Sequence, residues 1–298
     1  MNLTDPIFSD ANAAREHLEA LHWPDGAFCP HCGSVDRITK MKGKSTRPGV
    51  YKCNACTKFF TVTVGTIFED SKIPLNKWLL AFRLMSSSKK GISAHQMGRS
   101  LGITYKSAWF LCHRIRLSMT PANPAPLGGP DKVVEADETY VGGKAKNRAF
   151  RSPRAKQPVV ALVERDGHVR SFHVAAKQLR PLILTHVLPT SYLMTDESGV
   201  YTRVGREFDG HGTVNHSASQ YVTTGGFKHS NTVENFFSIF KRGVIGTYHH
   251  MSEAHLARYT AEFDFRYNHR TVNDAARADA ALIGAVGKRL TYRRANAA

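Results

Sequence analysis

Apolar residues recur at helical spacing in the N-terminal part of the chain, where they predict a mainly helical region. The pattern predicts helices over residues 9–21, 75–86, 93–100 and 104–119. Between the first two lies a cysteine-bearing segment, residues 28–64, which ends in the apolar–polar alternation of a β-hairpin. This part is expected to form one or two small domains.

The pattern changes after residue 130, where short apolar runs predict strands. KVVEADETYVGG is a strand, and PVVALVERDGHVRSFHVAA is a hairpin turning at Asp166-Gly167, a dipeptide favoured in type I′ turns. The remaining predictions are a helix at 178–188, a strand in SYLMTDES, a short strand near 213–216, and helices at 231–245 and 253–266. This order fits a mixed sheet with helices on its faces, as in the α/β ribonuclease H fold.

A Pro- and Gly-rich stretch, PANPAPLGGP, separates these two parts and predicts a linker. The domains expected from these patterns are an N-terminal helix with a cysteine-rich ribbon, a helix-turn-helix domain, the linker, a ribonuclease H-like mixed-sheet domain and a basic tail. Their bounds are 1–66, 67–120, 121–130, 131–285 and 286–298.

The charge of the chain favours a polyanionic partner. Lys and Arg number 41 against 24 Asp and Glu, a formal net charge of +17, and phosphates bound by these cations release condensed counterions. The stretch from Lys144 to Lys156 has six basic residues and no acidic one. Lys144, Lys146 and Arg148 are therefore candidate DNA contacts; a solvated basic loop without a specific role is the alternative.

The sequence shows neither a secretory signal nor an apolar run of the roughly 18 residues that a membrane-spanning helix needs. A cytoplasmic, nucleoid-associated protein without membrane contact is expected. In a reducing compartment, clustered cysteines indicate metal ligands rather than disulfides.

Two cysteine pairs have the spacing of a zinc ribbon. Cys29-x-x-Cys32 and Cys53-x-x-Cys56 are separated by residues 33–52. Four thiolates around a tetrahedral zinc ion leave no open position for water, so the predicted site is structural.

The segment KKGISAHQMGRSLGITYKSAWFLCHRIRLSM has the features of a helix-turn-helix. Ser93 and Thr104 are the expected N-caps on either side of a tight turn. The second helix would present Tyr105, Lys106, Arg114 or Arg116 to DNA. An ordinary helical hairpin is the alternative.

Three acidic residues of the second half are candidates for a metal site. Asp137 lies mid-strand between apolar neighbours, Asp196 ends the run YLM, and Glu234 begins the helix NTVENFFSIFKRG. Two strand carboxylates and one helix carboxylate can hold two Mg²⁺ or Mn²⁺ ions for an in-line displacement at phosphorus. Surface or salt-bridged acids are the alternative, and Glu135, Glu138, Glu197 and Asp209 are the other carboxylates considered. Strand alternation places Glu138 and Glu197 on the opposite face from the neighbouring Asp, whereas Glu135 shares the face of Asp137 and is a candidate for supporting it.

The helix that carries Glu234 is also expected to contact DNA. Lys241 follows Glu234 by seven residues, about two helical turns, so Asn231, Glu234 and Lys241 share one helix face, while Val233, Phe236, Phe237 and Phe240 pack on the sheet. Lys241, Asn231 and Arg242 are therefore candidate DNA contacts beside the acids.

These motifs resemble the zinc-ribbon-bearing DDE transposases of bacterial insertion sequences, in the ISXO-like lineage. The matching text is CPHC with CNAC, ADETYVGGK, MTDESGVY and NTVENFFSIFKRGVIGTYHHMSEAHLARYTAEFDFRYN, from Cys29 to Asn268. The resemblance implies a ribonuclease H-like catalytic domain with Asp137, Asp196 and Glu234 as the catalytic triad and Lys241 as the trailing basic residue. It also implies binding to terminal inverted repeats and action as an oligomer.

The resemblance leads to a functional hypothesis: a DNA transposase that binds the ends of its element and performs two-metal-ion strand cleavage and transfer on double-stranded DNA. Two alternatives stay open. One is a zinc-ribbon and helix-turn-helix regulator without catalysis, and the other is a structure-specific host nuclease. Some members of the lineage carry Asn in place of the Glu, whereas Glu234 is intact here.

Overall fold

The computed structural model describes residues 2–142, 156–174, 178–214, 222–223 and 227–291. Lys144, Lys146 and Arg148 lie outside the described residues. The helices of the described part are α1 Ala11–His22, α2 Leu75–Ser87, α3 Ala94–Leu101, α4 Tyr105–Ser118, α5 Leu179–His186, α6 Gly199–Gly205, α7 Asn231–Gly243, α8 Glu253–Asn268 and α9 Asp274–Ile283. The strands are β1 Ile38–Lys40, β2 Tyr51–Cys53, β3 Phe59–Phe60, β4 Val133–Val141, β5 Gln157–Glu164, β6 Val169–His173, β7 Tyr192–Asp196, β8 Gly210–Val214, β9 Val222–Thr223 and β10 Lys228–His229.

The chain folds into two compact units. The N-terminal unit comprises Met1–Pro121 together with Val272–Ala298, and the central unit is Ala122–Thr271. The expected end of the catalytic domain at residue 285 differs from this division, because α9 belongs to the N-terminal unit. The ribbon and the helices that follow it also lie in one unit rather than two.

The N-terminal unit contains a small sheet and a helical core. Strands β1, β2 and β3 pair in antiparallel order. Helix α2 buries Trp78, Leu79, Phe82 and Met85, which recur at helical spacing on the face that meets α9 and its neighbours. The C-terminal segment is tied to this core through His22, whose Nε2 lies 2.9 Å from the carbonyl oxygen of Leu282.

The central unit is a mixed sheet covered by helices on both faces. Its five strands have the order β6-β5-β4-β7-β8, with β4, β5 and β6 antiparallel and β4, β7 and β8 parallel. Helices α7 and α8 pack on one face, and α5 and α6 pack on the other. Burial on both faces explains why residues 159–163 of β5 are continuously apolar rather than alternating.

The hairpin between β5 and β6 forms as expected, but its turn is shifted by one residue. The backbone N–H of Gly167 donates to Glu164 O at 3.0 Å, so Arg165 and Asp166 are the central residues. Asp166 has a φ of 59°, whereas Gly167 is not among the positive-φ residues. The type I′ turn centred on Asp166-Gly167 is therefore wrong, since it requires positive φ at both positions.

Helix α8 covers the outer edge of β6 through side chains. Asn268 Oδ1 accepts from Val169 N at 2.7 Å and its Nδ2 donates to Val169 O at 3.0 Å. Asp264 accepts from the backbone N–H of Ser171 at 2.7 Å and from its hydroxyl at 2.6 Å. Burial raises the pKa of Asp264 to about 7 despite these hydrogen bonds. The helix thus replaces a neighbouring strand along this edge.

Among the described residues, none of the helices combines the length and the apolar character needed to cross a lipid bilayer.

Candidate active site and zinc centre

The four paired cysteines converge on one point. Their sulfur atoms all lie within 4.8 Å of one another. The Sγ atoms of Cys29 and Cys56 are 3.6 Å apart, and those of Cys32 and Cys53 are 3.7 Å apart. A regular tetrahedron with zinc–sulfur distances of about 2.3 Å has sulfurs about 3.8 Å apart. The cluster therefore fits a structural zinc ion.

Local backbone geometry shapes the two cysteine knuckles. Gly33 and Thr57, each directly after the second cysteine of its pair, have φ of 76° and 62°. At the second knuckle, the backbone N–H groups of Cys56 and Ala55 lower the pKa of the Cys53 thiol. A thiolate is the form that binds zinc, so this knuckle favours the ligand state.

Helices α3 and α4 meet at the predicted turn. Gly102 takes the left-handed conformation, with φ 61° and ψ 45°, and both predicted N-caps form: Ser93 Oγ accepts from Gln96 N and Thr104 Oγ1 from Ser107 N. Tyr105, half exposed, stacks on His95 with ring centroids 4.2 Å apart. Tyr105 and Lys106 lie on the surface at the start of α4.

The second half of α4 differs from the expectation. Arg114 and Arg116 are 7% and 2% exposed, so the helix does not present them on the surface. The Arg114 guanidinium donates to the carbonyl oxygens of Leu290 and Glu69, each at 3.1 Å. The physical reason is that this half of α4 lies inside the N-terminal unit, where residues 111–116 are all buried.

The sheet brings the first two candidate acids side by side. The parallel ladder of β4 and β7 pairs Glu135 with Met194, and two residues further along these strands come Asp137 and Asp196. Side chains alternate between the faces of a sheet, so both aspartates share the face of Glu135. That face is covered by α7, because Glu135 contacts Thr232 and Val233 in its first turn.

The third acid extends from the helix on that face. Glu234 is partly buried in the first turn of α7, and Oγ of Ser230 donates to its Oε1 at 3.0 Å. Val233, Phe236, Phe237 and Phe240 are buried against the sheet as predicted. The apolar face of α7 therefore fixes the direction in which Glu234 points.

The carboxylates affect one another electrostatically. Burial, with the negative charges of Asp196, Glu138 and Glu234, raises the pKa of Asp137 to about 6, although Glu138 N donates to its Oδ1 at 2.7 Å. Within the described part of the chain, however, the acids do not form a second group with all ligand atoms within 4.8 Å; the four cysteines alone do so. Carboxylate oxygens are hard ligands, and a divalent cation bound between them would offset their mutual repulsion. The chemistry of these acids therefore fits a divalent cation.

The two alternative acids on β4, Glu135 and Glu138, point to opposite faces of the sheet. Glu138 points to the opposite side of the sheet and accepts a hydrogen bond from the hydroxyl of Tyr201 in α6. Glu135 shares the face of Asp137 but is fully buried in contacts with other residues. The polar contacts of Glu135 were missed by sequence reasoning, because they come from segments far away in the chain.

The polar face of α7 continues beyond the acids. Lys241 and Arg242 are exposed in its last turn, and Asn231 is exposed at its first residue. Lys241 lies about 10 Å along the helix axis from Glu234. A π-helical segment, Val244–Tyr248, follows, with Ile245 73% exposed.

Comparison with known proteins finds a family match in each unit. Residues 126–268 match the ISXO2-like transposase domain, and residues 9–58 match the transposase zinc-ribbon domain. The chain is also 26% identical over 287 residues to an uncharacterised protein in transposable element ISH50 of Halobacterium salinarum, covering 87% of this chain and 91% of that protein. The first match lies within the central unit and the second within the N-terminal unit.

Proposed function

We propose, because this chain belongs to the zinc-ribbon-bearing ISXO2-like transposases, that it is the transposase of an insertion sequence, cutting the DNA ends of its element and joining them to target DNA. The observation that carries the proposal is that Asp137 of β4 and Asp196 of β7 lie side by side on the sheet face covered by α7, which carries Glu234 in its first turn. The matched transposase domain further implies a ribonuclease H-like fold, and the mixed sheet agrees with it.

In this proposal the three acids act as ligands for divalent cations. Asp137 on β4 and Asp196 on β7 supply oxygens from the sheet, and Glu234 supplies them from α7. Two bound Mg²⁺ or Mn²⁺ ions would activate a water or 3′-hydroxyl and stabilise the leaving oxygen at phosphorus. Lys241, on the exposed side of α7, holds a neighbouring phosphate, with Asn231 and Arg242 as further contacts.

End recognition belongs to the N-terminal unit in this proposal. The zinc ribbon supports a helix-turn-helix formed by α3 and α4, which presents Tyr105 and Lys106 to the terminal inverted repeats. The net charge of +17 supplies the general attraction for DNA. Because an element has two ends, we propose that the protein acts as a homo-oligomer on DNA, in the nucleoid of its host.

The direct test is cleavage of a DNA fragment carrying the element's end, in Mg²⁺ or Mn²⁺. Asp137→Asn, Asp196→Asn and Glu234→Gln are each expected to abolish cleavage and to leave DNA binding close to that of the unchanged protein. Glu138→Gln is the matched control, since this neighbouring acid points to the opposite sheet face and should retain cleavage.

The outcomes separate the candidate functions. Cleavage that persists in one of the three variants removes that residue from the triad. Binding of the end fragment without cleavage by the unchanged protein would favour a regulator. Cleavage of branched DNA irrespective of its sequence would favour a structure-specific nuclease.

A further inference from the structure

Glu135 is a fully buried carboxylate two residues before Asp137 on β4. Its exposed fraction is 0%. An ionised carboxylate without water is strongly unfavourable unless charges and hydrogen bonds compensate for it. The polar groups that surround Glu135 therefore indicate why the fold retains it there.

The first partner of Glu135 is the N-terminus of α7. Its Oε2 accepts the backbone N–H groups of Thr232 and Val233, both at 2.9 Å, and Oε1 accepts the hydroxyl of Thr232 at 2.9 Å. These backbone groups belong to the first turn, where N–H groups have no partner within the helix. The helix dipole also favours a negative charge at this end. Ser230, the N-cap residue, makes no side-chain capping bond, so a residue of β4 caps α7.

The second partner is Arg165, in the turn between β5 and β6. Its Nε donates to Glu135 Oε1 at 2.7 Å. Its two terminal nitrogens donate to the carbonyl oxygens of Phe227 and His229, both at 2.8 Å. His229 Nδ1 also lies 3.2 Å from Glu135 Oε1. The carboxylate and the guanidinium together hold the segment that leads into α7.

We propose that Glu135, held by Arg165, is a positioning residue that fixes Glu234 against Asp137. The packing of the apolar face of α7 on the sheet also relates the two acids, and Glu135 adds direct hydrogen bonds between the strand and the helix. Asp137 follows Glu135 by two residues on the same face, and Glu234 follows Val233 directly. The hydrogen bonds of Glu135 therefore connect the backbone segments that carry both acids. This inference rests on the proposed function of the three acids as metal ligands.

Small displacements at such a site have large effects. Residues that orient metal ligands typically change metal affinity or activity by roughly 10- to 100-fold when replaced. Glu135→Gln keeps an acceptor oxygen for the helix but removes the charge that holds Arg165. We expect the apparent affinity for Mn²⁺ to fall by roughly tenfold or more in this variant.

The experiment uses the full chain loaded with zinc and measures two quantities without DNA cleavage. The first is Mn²⁺ binding by calorimetry, counting the sites that Asp137→Asn removes. The second is amide hydrogen exchange of the peptide containing Thr232, Val233 and Glu234 in the absence of Mn²⁺. Glu135→Gln should weaken Mn²⁺ binding and accelerate this exchange.

Asp264→Asn is the matched control. Asp264 is also a buried acid that accepts a backbone N–H and joins a helix to a strand, but α8 carries no triad acid. This variant should leave Mn²⁺ affinity and α7 exchange unchanged, whatever its effect on the melting temperature. Because Glu135→Gln leaves Arg165 without its partner charge, the double variant Glu135→Gln/Arg165→Gln is measured as well, and it should show the same two changes.

Unchanged Mn²⁺ affinity in folded Glu135 variants would overturn the inference, as would an equal loss of affinity in Asp264→Asn. Failure of the proposed function is distinguishable. If the unchanged protein binds Mn²⁺ through Asp137 but does not cut DNA, the positioning effect stands and the transposase proposal falls. If it shows no Asp137-dependent Mn²⁺ binding, both the metal site and the positioning role are rejected.

Discussion

Asp137 has opposite consequences for stability and for the proposed chemistry. Its pKa rises from 3.8 to about 6 because of burial and the negative charges of nearby acids. The folded state therefore binds a proton more tightly than the unfolded state does. The stability that this group contributes is fully present below pH 4 and is lost as the pH rises through about 6. At neutral pH the ionised carboxylate therefore destabilises the fold, but it is in the form that can bind a cation.

The corresponding prediction concerns Asp137→Asn in the absence of divalent ions. At about 1.4 kcal/mol per pKa unit, the ionised form costs roughly 3 kcal/mol above pH 7. The variant should increase the free energy of unfolding by up to that amount at pH 8 and change it little at pH 4, as measured by urea unfolding. Mn²⁺ should stabilise the unchanged protein but not the variant. A gain that is equal at both pH values would contradict this electrostatic origin.

At the scale of secondary structure, sequence patterns predicted where helices and strands form better than they predicted which of their side chains are buried. The apolar spacing of Val233, Phe236, Phe237 and Phe240 predicted both α7 and the face that it buries. The same reasoning predicted α4, but its prediction that Arg114 and Arg116 lie on the surface is wrong. Their burial depends on segments far away in the chain, including Leu290 and Glu69, and local periodicity carries no information about such contacts.

This correction predicts different roles for two basic residues of α4. Lys106→Ala should weaken DNA binding, reduce the salt dependence of binding by about one phosphate contact and lower the melting temperature less than Arg114→Ala does. Arg114→Ala should lower stability by roughly 1–3 kcal/mol, because the partly buried carbonyl oxygens of Glu69 and Leu290 lose a donor. Fluorescence anisotropy over a salt series and thermal unfolding measure both effects. Equal loss of stability in the two variants would contradict the assignment.

The fold of the ribbon depends on the zinc centre, because the ribbon has little apolar core of its own. Cys29 and Cys53 are buried with Tyr51 and Phe60, and Trp23 packs against this cluster. Cys53→Ser should therefore release the zinc ion, expose Trp23 to solvent and weaken DNA binding. The control is Cys112→Ala, a buried cysteine in α4 that should keep one zinc ion per chain. Zinc release assays and Trp fluorescence decide; full zinc content in Cys53→Ser would exclude the four-thiolate site.

At the scale of the whole molecule, the sequence predicted the central unit well. It did not predict that this unit is inserted between two parts of the N-terminal unit. Most strands and helices of residues 131–268 follow clear patterns, although α6, β9 and β10 were not predicted. The resemblance to transposases is carried by the motifs of this region. The expected bounds of 131–285 included residues 274–283 in this domain, and the sequence patterns did not predict that they form a helix, α9. Its return to the N-terminal unit depends on long-range interactions, such as the hydrogen bond from Ile67 N to Ala285 O.

The N-terminal unit should therefore depend on residues that come last in the chain. Leu282 of α9 is 2% exposed, whereas the adjacent Ile283 is 52% exposed. Leu282→Ala should cost roughly 2–5 kcal/mol by leaving a cavity, and Ile283→Ala should cost much less. A chain ending at Thr271 should lose hydrogen-exchange protection in α2 while the central sheet keeps its own, because α2 and α9 belong to one unit. Unchanged protection of α2 in the shortened chain would show that α9 is dispensable for this unit.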